Sequence, residues 1–295
     1  MKEASVVPLV SVGMPLFNSA RWVEDSVRSI LEQDFRNIEL IIVDNASLDD
    51  SWSICQRLAS FDSRIRLYRN DQNIGANRNY ALVLQKSIGQ YFKWAAASDW
   101  CAPCFLSDCV GLLQKDEDVV LATGRTVLFS RSIEDGVPYN DDFSLLSDDA
   151  SERFIKIVTS MRLNNLLNGV IRADVLKGLP VLGAFEGADN VLVAELGMHG
   201  KFQMLDKPMY YRRMTPATAT KLKSDQEVSQ HIDPTRKRPP RWREWRLKCA
   251  YFGAAVRSAP FGWSWLKAVG FSLRQFLWAR NELAREVFRS SGHAS

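Results

Sequence analysis

The sequence lacks a long apolar run. No stretch of its 295 residues reaches the roughly 18–20 uninterrupted apolar positions a membrane-spanning helix needs. The first residues, Met1-Lys2-Glu3-Ala4-Ser5, lead into Val6-Val7-Pro8 with no extended apolar core and no cleavage pattern, so no export signal is expected. Cysteine is sparse. There are five, an odd number, and reduced thiols in the cytosol are expected rather than disulfides. Cys101, Cys104 and Cys109 include one C-x2-C without a second pair or nearby histidines, which reads as packed thiols at a helix start rather than a zinc site. Glycine-rich phosphate loops are missing too. Neither G-x-G-x-x-G nor G-x-x-x-x-G-K-[ST] occurs, which removes two nucleotide-binding classes. The balance of 46% hydrophobic and 24% charged residues excludes disordered, collagen-like and disulfide-scaffold chains.

Charge is present but unevenly placed. The net value is +4. Residues 1–235 carry 25 Lys+Arg against 31 Asp+Glu, whereas residues 236–295 carry 13 against 3. The same tail holds Trp242, Trp245, Trp263, Trp265 and Trp278, five of the nine tryptophans. A chain of this length makes one large domain or two moderate ones. The reading is an acidic body followed by a basic, aromatic tail.

In the body, strand and helix patterns alternate. Apolar runs at 9–14, 38–43, 65–68, 90–96 and 119–122 read as strands. Helical spacing recurs between them, as in Val23, Val27, Ile30 and Leu31. Asn18 or Ser19 could cap that first helix. Such alternation means βαβ units and a parallel sheet, whose ligands bind at the carboxyl ends of the strands. The informative segments are therefore 15–18, 44–50, 70–78 and 97–100. Beyond them come a polar acidic loop at 126–150, a helix at 151–161, a strand at 168–171, an apolar helix at 190–198 and short strands at 202–205 and 209–212. Residues 214–240 read as loop and linker.

Three of those segments carry recognisable motifs in order. They are Val12-Gly13-Met14-Pro15-Leu16-Phe17-Asn18, then Glu39-Leu40-Ile41-Ile42-Val43-Asp44-Asn45-Ala46-Ser47-Leu48-Asp49, then Asn73-Ile74-Gly75-Ala76-Asn77-Arg78-Asn79. Together they resemble glycosyltransferase family 2, nucleotide-sugar transferases of the GT-A fold, over about residues 10–213. The resemblance implies an α/β fold with a mostly parallel sheet, and a donor site built from Pro15, Phe17, Asn18, Asp44, Asn45, Asn73, Arg78, Ser98, Asp99 and Arg212. Asp44 suits the imide N–H of uracil, or a tight turn. Guanidinium groups suit diphosphate oxygens.

The family's acidic D-x-D cluster is degenerate here. Trp94-Ala95-Ala96-Ala97-Ser98-Asp99 keeps Asp99 and places Ser98 where an acidic neighbour is usual. Asp99 with phosphates and water could hold Mg²⁺ or Mn²⁺ weakly. Alternatively Arg78, Arg212 or Arg213 neutralises the leaving diphosphate. The segment 186–196 resembles the family's G-x-D-x-x-L-x-x-E-L. It implies Asp189 as the base that deprotonates the acceptor, with Glu186 in reserve, Glu195 structural, and inversion at the anomeric carbon. The plainer alternative for Asp189 is a helix N-cap, a role compatible with catalysis.

The organisation expected is a GT-A domain at 1–215, a linker at 216–240 and a helical tail at 241–295, with helices at 242–256 and 263–288. The implied partners are a nucleotide-sugar donor, a UDP-sugar, and a saccharide or lipid-linked acceptor in surface-polysaccharide assembly. The basic aromatic tail suggests an anionic membrane surface, an appendage packed on the body, or a homodimer contact. The expected location is cytoplasmic, peripheral on the inner face of the cell membrane. Nucleic acid is not an expected partner, since the acidic body opposes it. The competing class is a non-catalytic nucleotide-sugar-binding scaffold.

Overall fold

The computed structural model describes residues 7–215, 224–237 and 242–291. Apolar runs with almost no exposed position make the parallel half of its sheet: β1 (Val10–Leu16), β2 (Ile38–Asp44) and β4 (Tyr91–Trp94), joined at the edge by β3 (Ile65–Arg69). Strands covered on both faces read as continuous apolar segments, as these do. The order β3-β2-β1-β4 is parallel throughout. It continues through β8 (Val170–Arg172), β6 (Val119–Phe129), β9 (Lys201–Arg213) and the short β5 (Trp100–Cys101). The two-residue β7 (Val137–Pro138) pairs with β6. β8 is antiparallel to β4 and β6, and β5 to β9; β6 and β9 run parallel.

Alternate side chains feed two cores. Leu40 and Ile42 point to the face covered by α1 (Val23–Leu31), α2 (Ser51–Phe61) and α4 (Phe105–Lys115). Ile41 and Val43 point to the other. That second core is closed by α3 (Ala76–Gln85), α5 (Ala150–Ser160), α6 (Ala173–Lys177) and α7 (Ala188–His199). α9 (Arg243–Ser258) and α10 (Trp263–Trp278) join it through Tyr251, Ala254, Ala255, Ala268 and Phe271. The tail thus shares the core of the body. Glu195, 2% exposed on α7, accepts from Arg257 at 3.2 and 2.9 Å and from Ser258 at 2.8 Å, which secures α9.

Several expectations need correction. The expected strands at 202–205 and 209–212 are one strand, β9, whose register slips opposite Gly124 and Arg125. β6 runs on to Phe129, into what read as loop, because its partner β9 continues beside it. The expected linker contains α8 (Asp225–Ile232), started by a full capping box between Ser224 and Glu227. The last helix breaks at Ala279 into α10 and α11 (Arg280–Ser291). Asn18 and Ser19 do not cap α1, which starts after Trp22 without a side-chain cap. Asn18 instead sits at φ 46° and joins two turns: its N–H donates to Ser47 Oγ at 2.9 Å, and its Oδ1 accepts from Leu48 N–H at 2.9 Å.

Candidate functional site

The cleft lies at the carboxyl ends of β1 and β4, as expected of an open parallel sheet. It has two adjoining lobes. The smaller, about 290 Å³, is lined by Pro15, Phe17, Asn18, Trp22, Asn45 and Asn79. The larger, about 460 Å³, is lined by Asp99, Asn164, Phe185, Glu186, Asp189 and Arg212 among others. Ala76, Tyr80, Ala96, Ser98 and His231 line both, so the lobes meet above Ser98.

Hydrogen bonding shapes the smaller lobe. Asn45 Nδ2 donates to Asn73 Oδ1 at 2.8 Å, while Asn45 Oδ1 accepts from Asn70 and from the Ile74 N–H, each at 3.0 Å. Asn79 Nδ2 donates to the Val43 carbonyl at 2.9 Å. This amide network fixes the loop after β3 against the end of β2. Asp44 is fully buried beneath the turn. Its carboxylate accepts from the Ser47 N–H at 3.2 and 3.3 Å and pairs with Arg69 at 3.1 Å. Asp44 and Asn73 therefore stand behind the lining and hold it. Arg78 is exposed on α3, outside the lining of both lobes; the Asp233 carboxyl is held low chiefly by hydrogen bonds from Thr235, with smaller help from the Arg236 and Arg78 charges. Gly75, at φ 89°, lies so close to Ile232 that an added Cβ would come within 2.0 Å of that carbonyl oxygen. Glycine is what lets α8 close over the cleft and bring His231 to it.

At the junction Asp99 is 9% exposed. Oδ2 accepts from the Tyr210 hydroxyl, and Oδ1 accepts from the Arg213 N–H at 3.0 Å and from Ser98 Oγ at 3.1 Å. Burial pushes its carboxyl above the usual carboxylate range, against those three hydrogen bonds and the Arg212 charge. The same burial, with the Asp99 charge, raises Tyr80 to about 12. Arg213 is committed. Its guanidinium donates to the carbonyls of Ser98, Ser130 and Arg131 at 2.9–3.3 Å and stacks over Phe129 at 4.4 Å, so it braces the Ser98 turn where it lines the larger lobe. Arg212 lines the larger lobe and donates to Asn165 Oδ1 at 2.7 Å.

Across the larger lobe stands Asp189. α7 is started by Gly187 in the left-handed region at φ 80°, without a side-chain cap. Asp189 is thus not the cap; its Oδ2 accepts from Asn164 Nδ2 at 3.1 Å and its carboxylate lines the lobe. Glu186 also lines it, but pairs with Arg243, which bonds Asp225 at 2.5 Å as well. The loop before α7 is held by Asn77, whose amide donates to the carbonyls of Gly183 and Phe185 at 2.7 and 3.1 Å.

Sequence reasoning did not select Tyr80, Asn164, Asn168 or Tyr210 for the cleft. Asn164, Asn165 and Asn168 stand in an otherwise apolar stretch, a signal that was there to read. Among the described residues no three His, Cys, Asp or Glu gather as a metal site. Asp99 offers one carboxylate of hard oxygens, already carrying three hydrogen bonds. That donor set fits a divalent cation held mostly by phosphate oxygens and water, not a closed protein site.

The model of "Glycosyl transferase family 2" matches residues 11–160. A putative teichuronic acid biosynthesis glycosyltransferase of Bacillus subtilis, TuaG, is 31% identical over 153 residues, which are 50% of this chain and 59% of that protein. The matched stretch spans 35% to 41% of the length of three further curated relatives, each 29% identical. Among solved structures, Staphylococcus aureus TarS in complex with UDP-GlcNAc superposes with a TM-score of 0.65 at 15% identity, covering 91% of this chain and 72% of that one. A mannosyltransferase from Pyrobaculum calidifontis in complex with GDP-Man and Mn²⁺ does so with a TM-score of 0.57 at 16% identity, covering 99% and 77%. These likenesses bear on the fold: a curled, largely parallel sheet with flanking and C-terminal helices.

Proposed function

The chain belongs to glycosyl transferase family 2, and on that premise we propose that it moves a sugar from a nucleotide donor, a UDP-sugar, onto a saccharide hydroxyl. The observation that carries this reading is that Asp189, which does not cap its helix, lines the same lobe as Ser98, Asp99 and Arg212. The base and ribose occupy the smaller lobe, against Pro15, Phe17, Asn18 and Asn45, with Asp44 and Asn73 acting through the turn and loop they hold. The diphosphate lies over Ser98 within reach of Arg212; Arg78 contributes at most longer-range charge from its exposed place on α3.

The acceptor enters the larger lobe. Its hydroxyl oxygen attacks the anomeric carbon as Asp189 takes the proton, and the bond to the diphosphate breaks on the opposite face, which inverts the centre. Asn164 holds the Asp189 carboxylate in place. Glu186, paired to Arg243, remains the reserve base. A divalent cation held by Asp99 would supply charge neutralisation at the leaving diphosphate. The acceptor class is a saccharide or lipid-linked saccharide in surface-polysaccharide assembly; the likeness to a teichuronic acid biosynthesis glycosyltransferase supports the polysaccharide part of that reading. The unit doing this chemistry is 1–215 together with α8, whose His231 lines both lobes; α9 and α10 pack into the same core.

The test is a screen of UDP- and GDP-sugars by thermal shift, with and without Mn²⁺, followed by transfer assays. A donor that stabilises the protein and is turned over supports the proposal. A donor bound but never turned over favours the scaffold reading, to which Ser98 in place of an acidic residue lends weight.

A further inference from the structure

We propose that the outward face of α10 docks on an anionic lipid surface, independently of whether sugar transfer occurs. α10 is apolar on two sides. Ala268, Val269, Phe271 and Ser272 are buried against the body. Opposite them Trp263 (71% exposed), Leu266, Leu273 and Leu277 (63%) recur at helical spacing and face solvent in one row. Phe261, 97% exposed, precedes the row, and exposed Trp278 ends the helix beside it, its ring edge-on to Phe271. A helix with a second apolar face has a second covering to find, and an exposed apolar row marks an interaction surface.

The charges say what covers it. The 16 residues of α10 include no Asp or Glu. Arg274 stands exposed within the row and Arg280 just beyond it. In a two-fold pairing of two copies the same face meets itself, setting Arg274 in a cationic apolar surface against its own like. An anionic leaflet takes both features, with tryptophans at either end of the leucines at headgroup depth.

The contact is narrower than the whole basic tail. Tyr251, Ala254 and Ala255 of α9 are buried, with Leu247 and Phe252 partly buried against the same core. Arg243, Arg257 and Lys267 are committed to Glu186 and Asp225, Glu195, and Asp149. Ser264 Oγ also bonds Asp149, so α10 is fastened to α5 and is no loose tether. The body would be held at one attitude to the lipid.

The experiment is flotation of the full chain with vesicles of phosphatidylcholine alone or mixed with phosphatidylglycerol. The wild type is expected to float with the mixed vesicles and about tenfold less with phosphatidylcholine. The triple variant Leu266→Ser, Leu273→Ser, Leu277→Ser is expected to lose at least about tenfold in binding while remaining folded with a cooperative melt, since each side chain is more than half exposed. Arg274→Glu, a single surface change, should lose roughly tenfold at low salt and less at high salt. Equal binding by the triple variant, no lipid preference, or no effect of Arg274→Glu overturns the proposal. So does a wild-type dimer in sedimentation that the triple variant dissolves, without vesicle binding.

Discussion

Asn164 donates from Nδ2 to Oδ2 of Asp189 at 3.1 Å, joining the segment before β8 to the first turn of α7. Its Oδ1 accepts from the Leu167 N–H at 3.2 Å, so the amide itself is fixed. An amide donor held this way aims the carboxylate without neutralising it. Replacing Asn164 with Ala should lower kcat by roughly 10- to 100-fold, the cost of a displaced catalytic group. KM for the donor should change little, because the donor side of the cleft is untouched. Steady-state kinetics separate the two constants.

Asp99 gives a pH prediction whose sign is set by its raised carboxyl. Between the usual value of 3.8 and its raised value, the folded chain binds more protons than the unfolded chain. Stability therefore falls as pH rises through that window, and is level above it. Asp99→Asn, neutral at every pH, should remove this part of the decline. Tyr210→Phe deletes the hydroxyl that favours the ionised form, and should extend the decline to higher pH. Melting temperatures of the three proteins across acidic to neutral pH check both statements.

Arg257 is half exposed, yet its partner Glu195 is 2% exposed. Arg257→Ala leaves a buried carboxylate with Ser258 as its remaining side-chain donor. The expected loss is about 1–3 kcal/mol, less than for a fully buried pair because water can reach the vacated site. The midpoint of urea unfolding measures it. Truncation before α9 should cost far more, since Tyr251, Ala254, Ala255 and Phe271 belong to the central core.

Asn77 spans α3 and the loop before α7 through two carbonyls. Asn77→Ala should loosen Phe185 and Glu186 at the acceptor side, raising acceptor KM several-fold with donor binding intact. Calorimetric donor titration beside acceptor kinetics distinguishes this from general unfolding.

Much of this arrangement was legible in sequence because it is local. Continuous apolar runs fixed the central strands, and the polar residues just after them fixed where a cleft must lie. Pro15, Phe17, Asn18, Asn45, Ser98, Asp99, Arg212, Glu186 and Asp189 all line it. What was not legible depends on contacts between distant segments. The buried pairing of Asp44 with Arg69 and the Ser47 N–H turns that carboxylate away from the lobe it closely underlies. Arg78 falls on the outer side of α3, a matter of helical phase within one turn. Arg212 and Arg213 are neighbours on β9, and the strand's period of two gives them different partners, Asn165 for Arg212 and the Ser98 turn for Arg213. The asparagines of the segment before β8 were visible as polar residues in an apolar stretch, but the pairing of Asn164 with Asp189, like that of Tyr210 with Asp99, appears only when distant segments come together.

The most direct test of the central assignment is the transfer rate of Asp189→Ala, measured with the donor that the screen identifies and alongside donor affinity. Removal of a general base predicts a fall of about 10²- to 10⁴-fold in kcat with donor affinity unchanged. Equal turnover in the variant and the wild type would contradict the assignment of Asp189 as the base.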